Sequence, residues 1–235
     1  MAAYYHYFSF GLTSYIDGLL VRVREEVFRV FLEALRPQPG DTILDVGASA
    51  DDHVSSNHFE KRYPRPDKIC ALGIDHLPGL TGQFPGLTVV RGDARELPFA
   101  RGSFDFVYSH AVIEHVGSRE QQAAFLKETL RVARKGVLLT TPNRWHPMEA
   151  HTGLPLLHFL PPAAYRPIYR ALGKKMYATE ETLNLLSSTQ LLKLVRGLGV
   201  RDCSLREVRW MGIPSNLVLV VHKGGSGSVG EEGLD

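Results

Sequence analysis

Cysteine is scarce, with only Cys70 and Cys203 in 235 residues and no Cys-x-x-Cys pair. That argues against a disulfide framework or a thiolate zinc site and suits a reducing compartment. A dominant charge is missing too. Lys and Arg number 27 against 25 Asp and Glu, giving a formal charge of +2 with no block of like charges to track a phosphate backbone. A nucleic-acid partner is therefore not expected. No run approaches the roughly 20 apolar residues that span a bilayer, so no transmembrane segment is expected. Met1 to Phe10 is aromatic, without the basic flank and apolar stretch of a secretory leader, and the expected location is cytoplasmic.

What the chain does have is an ordinary globular balance, 44% hydrophobic and 22% charged. At this length roughly 70% of the unfolded surface can be buried, enough for a core without staples. Residues 1–222 are expected to form one domain, and 223–235, rich in Gly, Ser and Glu, a disordered tail.

Helical periodicity runs from Thr13 to Leu35 (Ile16, Leu19, Leu20, Val23, Val27, Val30, Phe31), until Pro37 and Gly40 stop it. Short apolar runs then read as buried strands at 42–47, 69–75, 87–91, 104–109 and 136–141. Between them, Asn57 with Glu60 has the form of a capping box opening a helix, and 118–134 reads as a second helix. Nearly continuous apolar strands separated by helices call for a parallel sheet covered on both faces, an α/β doubly wound fold. Two last strands, 204–210 and 216–222, have a link too short for a parallel crossover and must be antiparallel.

Ligands of such sheets bind outside the carboxyl ends of the strands, near the reversal of strand order. Here those ends carry Asp45, Gly47, Ala48 and Ser49, then Asp75 and His76, Asp93 and Ala94, and Ser109 with His110. Acids at neighbouring strand ends need partners. A nucleoside supplies them: ribose hydroxyls for Asp75 and an adenine amino group for Asp93, with Gly47 allowing close backbone approach. The loop Gly47-Ala48-Ser49-Ala50-Asp51 lacks the second glycine of G-x-G-x-x-G, and Asp51 and Asp52 would repel a diphosphate. A nicotinamide-dependent oxidoreductase is therefore disfavoured, and S-adenosylmethionine, a nucleoside without phosphate, fits better. A scaffold that keeps the nucleoside site without turnover is the alternative from another class.

In their order and spacing, Ile43-Leu44-Asp45-Val46-Gly47, Gly73-Ile74-Asp75, Gly92-Asp93-Ala94 before Leu97-Pro98-Phe99, Ser103-Phe104-Asp105-Phe106-Val107, Ile113-Glu114-His115-Val116 and Leu130-Arg131-Val132 resemble the class I S-adenosylmethionine-dependent methyltransferases over about residues 14–222. The stretch from Thr140 to Pro147, with the histidines after it, looks like a type 11-like bacterial subgroup. The resemblance implies a Rossmann-like seven-stranded sheet, mostly parallel with the last hairpin reversed and helices on both faces. It also implies Asp75 on ribose, Asp93 near adenine and Gly47 beside the methionine portion. Ser49 and Asp51 stand where glycines are usual, and Asp75 follows Gly47 by 28 positions against the ~20 of related folds. Ser49, Ser55, Ser56 and the helix start at Asn57 are candidate donors to the methionine carboxylate.

Methyl transfer requires positioning of an acceptor and disposal of a proton. His110 and His115 follow the fourth strand and are the expected catalytic imidazoles. Asn143, Arg144 and His151 are expected to recognise the acceptor, a small molecule or a lipid- or sugar-linked one. No metal is expected, because His146, Glu149 and His151 do not share one helical face. About sixty residues separate Pro142 from the sixth strand, far beyond a usual connection. This acceptor-side insertion, about 143–200, is read as a lid over the acceptor, with a surface that meets a lipid-linked substrate or a dimer contact as alternatives.

Overall fold

A computed structural model of the chain describes residues 13–51 and 53–224. The first strands are short and wholly buried: β1 (Ile43–Val46), apolar but for Asp45, and β2 (Ile69–Gly73) expose no residue. β3 (Thr88–Arg91), β4 (Phe104–His110) and β5 (Ala133–Pro142) join them in parallel, and β7 (Ile213–His222) runs antiparallel to both β5 and β6 (Cys203–Trp210). The seven strands lie in the order β3-β2-β1-β4-β5-β7-β6. Strand order therefore reverses between β1 and β4, and a crevice opens there.

Side chains alternate across the sheet, so neighbours in sequence feed different cores. Ile43 packs with Val27, Phe31 and Phe106 under α1 (Thr13–Leu35), while Leu44 packs with Val107, Phe125 and Leu191 under α4 (Arg119–Val132) and α6 (Ser188–Gly197). Phe31 is the hub of the first layer, edge-on to Phe59, Phe106 and Tyr108 at 5.1 to 6.1 Å. Both cysteines are free, and burial pushes the Cys70 thiol up to about 11. No helix of the described residues is long and apolar enough to cross a membrane. The tail at 225–235, like Met1 to Phe10, lies outside the described residues.

Three local expectations need correction. Asn57 does not cap α2 (His58–Arg62) through its side chain. Its backbone is left-handed at φ 48°, and its amide instead accepts from the Ser49 N–H at 3.1 Å and donates to the Ser49 carbonyl at 2.8 Å, stapling the loop after β1. The last hairpin is tighter than 211–215: only Met211 and Gly212 turn, both at positive φ, and Ile213 and Pro214 pair with Trp210 and Arg209 past a bulge that accommodates the proline. Finally, α4 passes straight into β5 at Ala133, which pairs with Phe104 before the β4 bulge.

A full capping box starts α4, with the Ser118 hydroxyl accepting from the Gln121 N–H while the Gln121 side chain accepts from the Ser118 N–H. Ser118→Ala should lower unfolding free energy by about 1 kcal/mol. In a chain of this size that is a fall in Tm of about 2–4 °C by calorimetry.

The insertion has a small core of its own, in which Tyr165 and Tyr169 of α5 (Pro162–Ala171) meet Tyr177, Leu183 and Leu185. Residues 176–182 then return to the carboxyl edge of the sheet, beside His115.

Candidate functional site

At that edge lies a cavity of about 670 Å³, within the usual range of small-molecule sites, ~300–1,000 Å³. Strand ends supply its floor: Asp45, Gly47, Ala48 and Ser49 after β1, Asp75 after β2, Asp93 and Ala94 after β3. The left-handed turn at Gly47, φ +110°, lets both the Gly47 and the Ala48 N–H donate to the Leu72 carbonyl, at 2.8 and 3.1 Å. The chain thereby bends away from the sheet and leaves room above it. The loop beyond is braced from within: the Asp51 N–H donates to the Ser49 hydroxyl and the Ser56 hydroxyl to the Asp51 carboxylate. Asp52 lies outside the described residues.

Two acids in the wall behave differently. Asp93 is gripped by the Arg95 side chain at 2.6 to 3.1 Å, which holds its carboxyl below the usual range, so it stays ionised. Asp45 is buried, and desolvation together with the adjacent carboxylate of Glu60 pushes its carboxyl well above the usual range. Glu60 is buried as well, and apart from a protonated Asp45 neither of its oxygens has a hydrogen-bond donor among the described residues. Two carboxyls facing each other without a cation form a site that wants one.

Sequence reasoning missed several wall residues. Arg24 and Glu60 reach the cavity from α1 and α2, whose pattern reads simply as amphipathic. Ile74, 62% exposed on the cavity wall, offers an apolar face beside Asp75. Met176, Tyr177, Glu181 and Thr182 close the side away from β2, and only the path of the insertion brings them there.

The two expected imidazoles both line the cavity. Burial drives the imidazole of His110 well below its usual range, and its Nδ1 sits 3.0 Å from the Thr140 hydroxyl. The Nδ1 of His115 lies 2.6 Å from the Thr182 carbonyl, which can only accept, so that nitrogen carries the hydrogen. Burial, then the charge of His151, pushes His115 down to about 4. Both rings are neutral at physiological pH.

Other expected residues stand elsewhere, each for a visible reason. Ser109 is fully buried, its hydroxyl donating to the Val46 carbonyl, and His76 is exposed outside the cavity. Asn143 ties β5 to β7 by donating to the Pro214 carbonyl, and Arg144 spreads over Trp145 while donating to the Leu160 carbonyl. His151 does not line the cavity either. It is buried behind His115, rings 4.6 Å apart and edge-on, with its Nδ1 2.8 Å from the Glu149 carboxylate. Burial opposes the charged form of His151, but Glu149 outweighs it and raises the imidazole above its usual range. Beside it, burial pushes Glu114 up to about 7. His146 is apart from this group, stacked on Trp210.

Comparison with known proteins agrees with this geometry. A family profile described as a methyltransferase domain matches residues 73–141. The chain is similar to a demethylmenaquinone methyltransferase of Beutenbergia cavernae, 35% identical over 145 residues that cover 58% of this chain and 56% of that one. Among solved structures it resembles an S-adenosylmethionine-dependent methyltransferase of Methanosarcina mazei, with TM-score 0.53, 18% identity, 82% of this chain and 96% of that one. These likenesses are to methyltransferases, and the profile match spans residues 73–141 of the chain. It also resembles the 1,6-didemethyltoxoflavin-N1-methyltransferase of Burkholderia thailandensis, solved with its acceptor and S-adenosylhomocysteine, with TM-score 0.58, 12% identity, 92% of this chain and 83% of that one. The chain spans about half the length of the demethylmenaquinone relative.

S-adenosylmethionine is the cofactor of the Methanosarcina protein, and the wall chemistry of the cavity is compatible with such a ligand. An ionised Asp93, an exposed apolar Ile74 and an acid at the end of β2 suit adenosine. The buried carboxyl pair of Asp45 and Glu60, with Arg24 on the same wall, suits a zwitterionic amino-acid end.

Proposed function

We propose that the chain transfers the methyl group of S-adenosylmethionine to a small-molecule acceptor whose attacking atom is already nucleophilic near neutral pH. The observation that carries this reading is one cavity at the reversal of strand order, lined by Gly47, Asp75, Asp93 and the Asp45–Glu60 carboxyl pair together. Asp75 accepts from the ribose hydroxyls and Asp93, still able to accept beyond Arg95, from the adenine amino group. Asp45 and Glu60 hold the ammonium, and Arg24 with the Ser49 loop faces the carboxylate.

The cofactor supplies an electrophilic methyl on a sulfonium, which leaves as a neutral thioether when the acceptor's lone pair forms the new bond. His110 and His115 stand in the same wall as neutral imidazoles, and His110 receives the acceptor's proton where there is one. Because burial makes that imidazole a weak base, it suits a phenol, an enol or an amine lone pair better than an aliphatic alcohol. The activities for which the relatives are named, on demethylmenaquinone and didemethyltoxoflavin, support small organic acceptors. Tyr177, Met176 and Thr182, rather than Asn143 and Arg144, then frame the acceptor, and the insertion serves as its cover.

Thermal shift tests the reading. S-adenosylhomocysteine should raise Tm while NADH leaves it unchanged, and the reverse would refute the proposal. Asp75→Ala should weaken S-adenosylhomocysteine binding by ~1–3 kcal/mol, as two hydroxyl donors lose a charged acceptor. Unchanged affinity by calorimetry would remove Asp75 from the ribose.

A further inference from the structure

We propose that Glu114, His115 and His151 form a binding site for one first-row divalent transition ion, open toward the cavity. Each offers one ligand atom, and the three atoms lie within 4.8 Å of one another. The Glu114 Oε1 is 4.0 Å from the Nε2 of His115 and 3.8 Å from the Nε2 of His151. Donors around an ion with ~2.1 Å bonds stand about 3.4 Å apart, so the two Glu114–imidazole separations would close by roughly half an ångström and that between the imidazoles by up to about 1.4 Å.

The surroundings of these donors are those of ligands. Both imidazoles have their Nδ1 on an oxygen that only accepts, the Thr182 carbonyl for His115 and the Glu149 carboxylate for His151. In its neutral form each ring therefore turns an Nε2 lone pair inward. A carboxylate or carbonyl behind a histidine is the usual outer partner that fixes a metal ligand's tautomer and orientation. Glu149 is itself immobilised, accepting from the His151 and Thr152 N–H groups at 2.9 and 2.7 Å. Glu114 is fully buried: the Thr141 hydroxyl holds its Oε2, while its Oε1 has no hydrogen-bond donor. The Nε2 of His151, 3.8 Å away, is beyond hydrogen-bond reach of that oxygen, and an ion held between Glu114 and the two imidazoles would satisfy it directly.

Two imidazoles and one carboxylate select zinc, iron or cobalt over magnesium or calcium. His115 also lines the cavity, so the remaining coordination positions face the space assigned to the acceptor. An acceptor oxygen or nitrogen bound there would be fixed and made more acidic, which suits a site whose nearby imidazole is a weak base. This role rests on the methyltransferase reading; the ion site itself does not.

The test is titration of chelator-stripped protein with Co²⁺, followed by visible d–d absorption and by equilibrium dialysis, with S-adenosylhomocysteine thermal shift run on the same samples. One equivalent of Co²⁺ should bind, displaceable by Zn²⁺. Glu114→Ala and His151→Ala should each weaken it at least a hundredfold. His115→Ala, at the partly exposed cavity wall, should do the same without a buried hole. Glu149→Gln should weaken it ~10–100-fold, as loss of an outer partner does. Folded protein that binds neither Co²⁺ nor Zn²⁺, or binds them equally well in the His115 and His151 variants, overturns the site. Because S-adenosylhomocysteine stabilisation is read separately, its failure counts against the cofactor reading alone.

Discussion

Gly47→Ala should reduce affinity for S-adenosylhomocysteine a hundredfold or more, about 2.7 kcal/mol, while leaving the sheet folded. Two independent costs meet at this residue. Its φ of +110° is a conformation that L side chains rarely adopt, worth ~1–3 kcal/mol of strain. A Cβ there would also stand 2.3 Å from the Cγ2 of Val112, a β-branched side chain with little rotameric freedom. Relief requires Gly47 to rotate or the Val112 loop to retreat, and both reshape the wall against which the cofactor lies. The double variant Gly47→Ala/Val112→Ala removes the collision and keeps the strain, so it should recover part of the lost affinity. Calorimetric titration with circular dichroism on each variant decides the matter. A Gly47→Ala protein that binds like the parent would show that the cofactor does not approach this turn.

Gly47 was legible because its signal is local: a short, mostly apolar run ending in glycine reads as a buried strand entering a turn. The same holds for Asp75 and Asp93, each placed at the sheet's edge by the apolar run before it. Asn57 was misread for a complementary reason. An Asn three residues before a Glu matches a capping box, but the amide finds better partners across the loop in both backbone groups of Ser49. Glu60, apparently the other half of that box, is instead buried against Asp45. Helical periodicity could say that α1 and α2 bury one face, not that Arg24 and Glu60 overlook a cavity. Glu114, His115 and His151 were harder still. His115 and His151, 36 positions apart, meet because a 3₁₀ turn at Ile113–His115 and the turn held by Glu149 pack ring against ring.

The carboxyl pair carries the other large expectation, and it has two signs. With Asp45 raised by burial and by Glu60, a proton stays on the pair in the free protein at pH values where both acids would be ionised in the unfolded chain. A raised carboxyl is protonated in the folded state first. Its contribution to stability is thus full below the unfolded value of about 3.9 and lost as pH rises from there through the folded value. Near neutrality the pair is a burden on the empty protein. Asp45→Asn removes one acid and keeps the shape, so the free protein should melt at a higher temperature than the parent. Affinity for S-adenosylhomocysteine should move the opposite way, down by about 3 kcal/mol or more, since the ammonium loses a buried charged partner. Such a trade of stability for binding is common where a site keeps uncompensated charge. Binding to the parent should also release a proton, because an ammonium between the two carboxylates favours their ionised forms. Calorimetry in two buffers of different ionisation enthalpy measures that release directly, and it should vanish in Asp45→Asn. Equal proton counts in the two proteins, or a variant that is both less stable and equally tight, would place the ammonium elsewhere in the cavity.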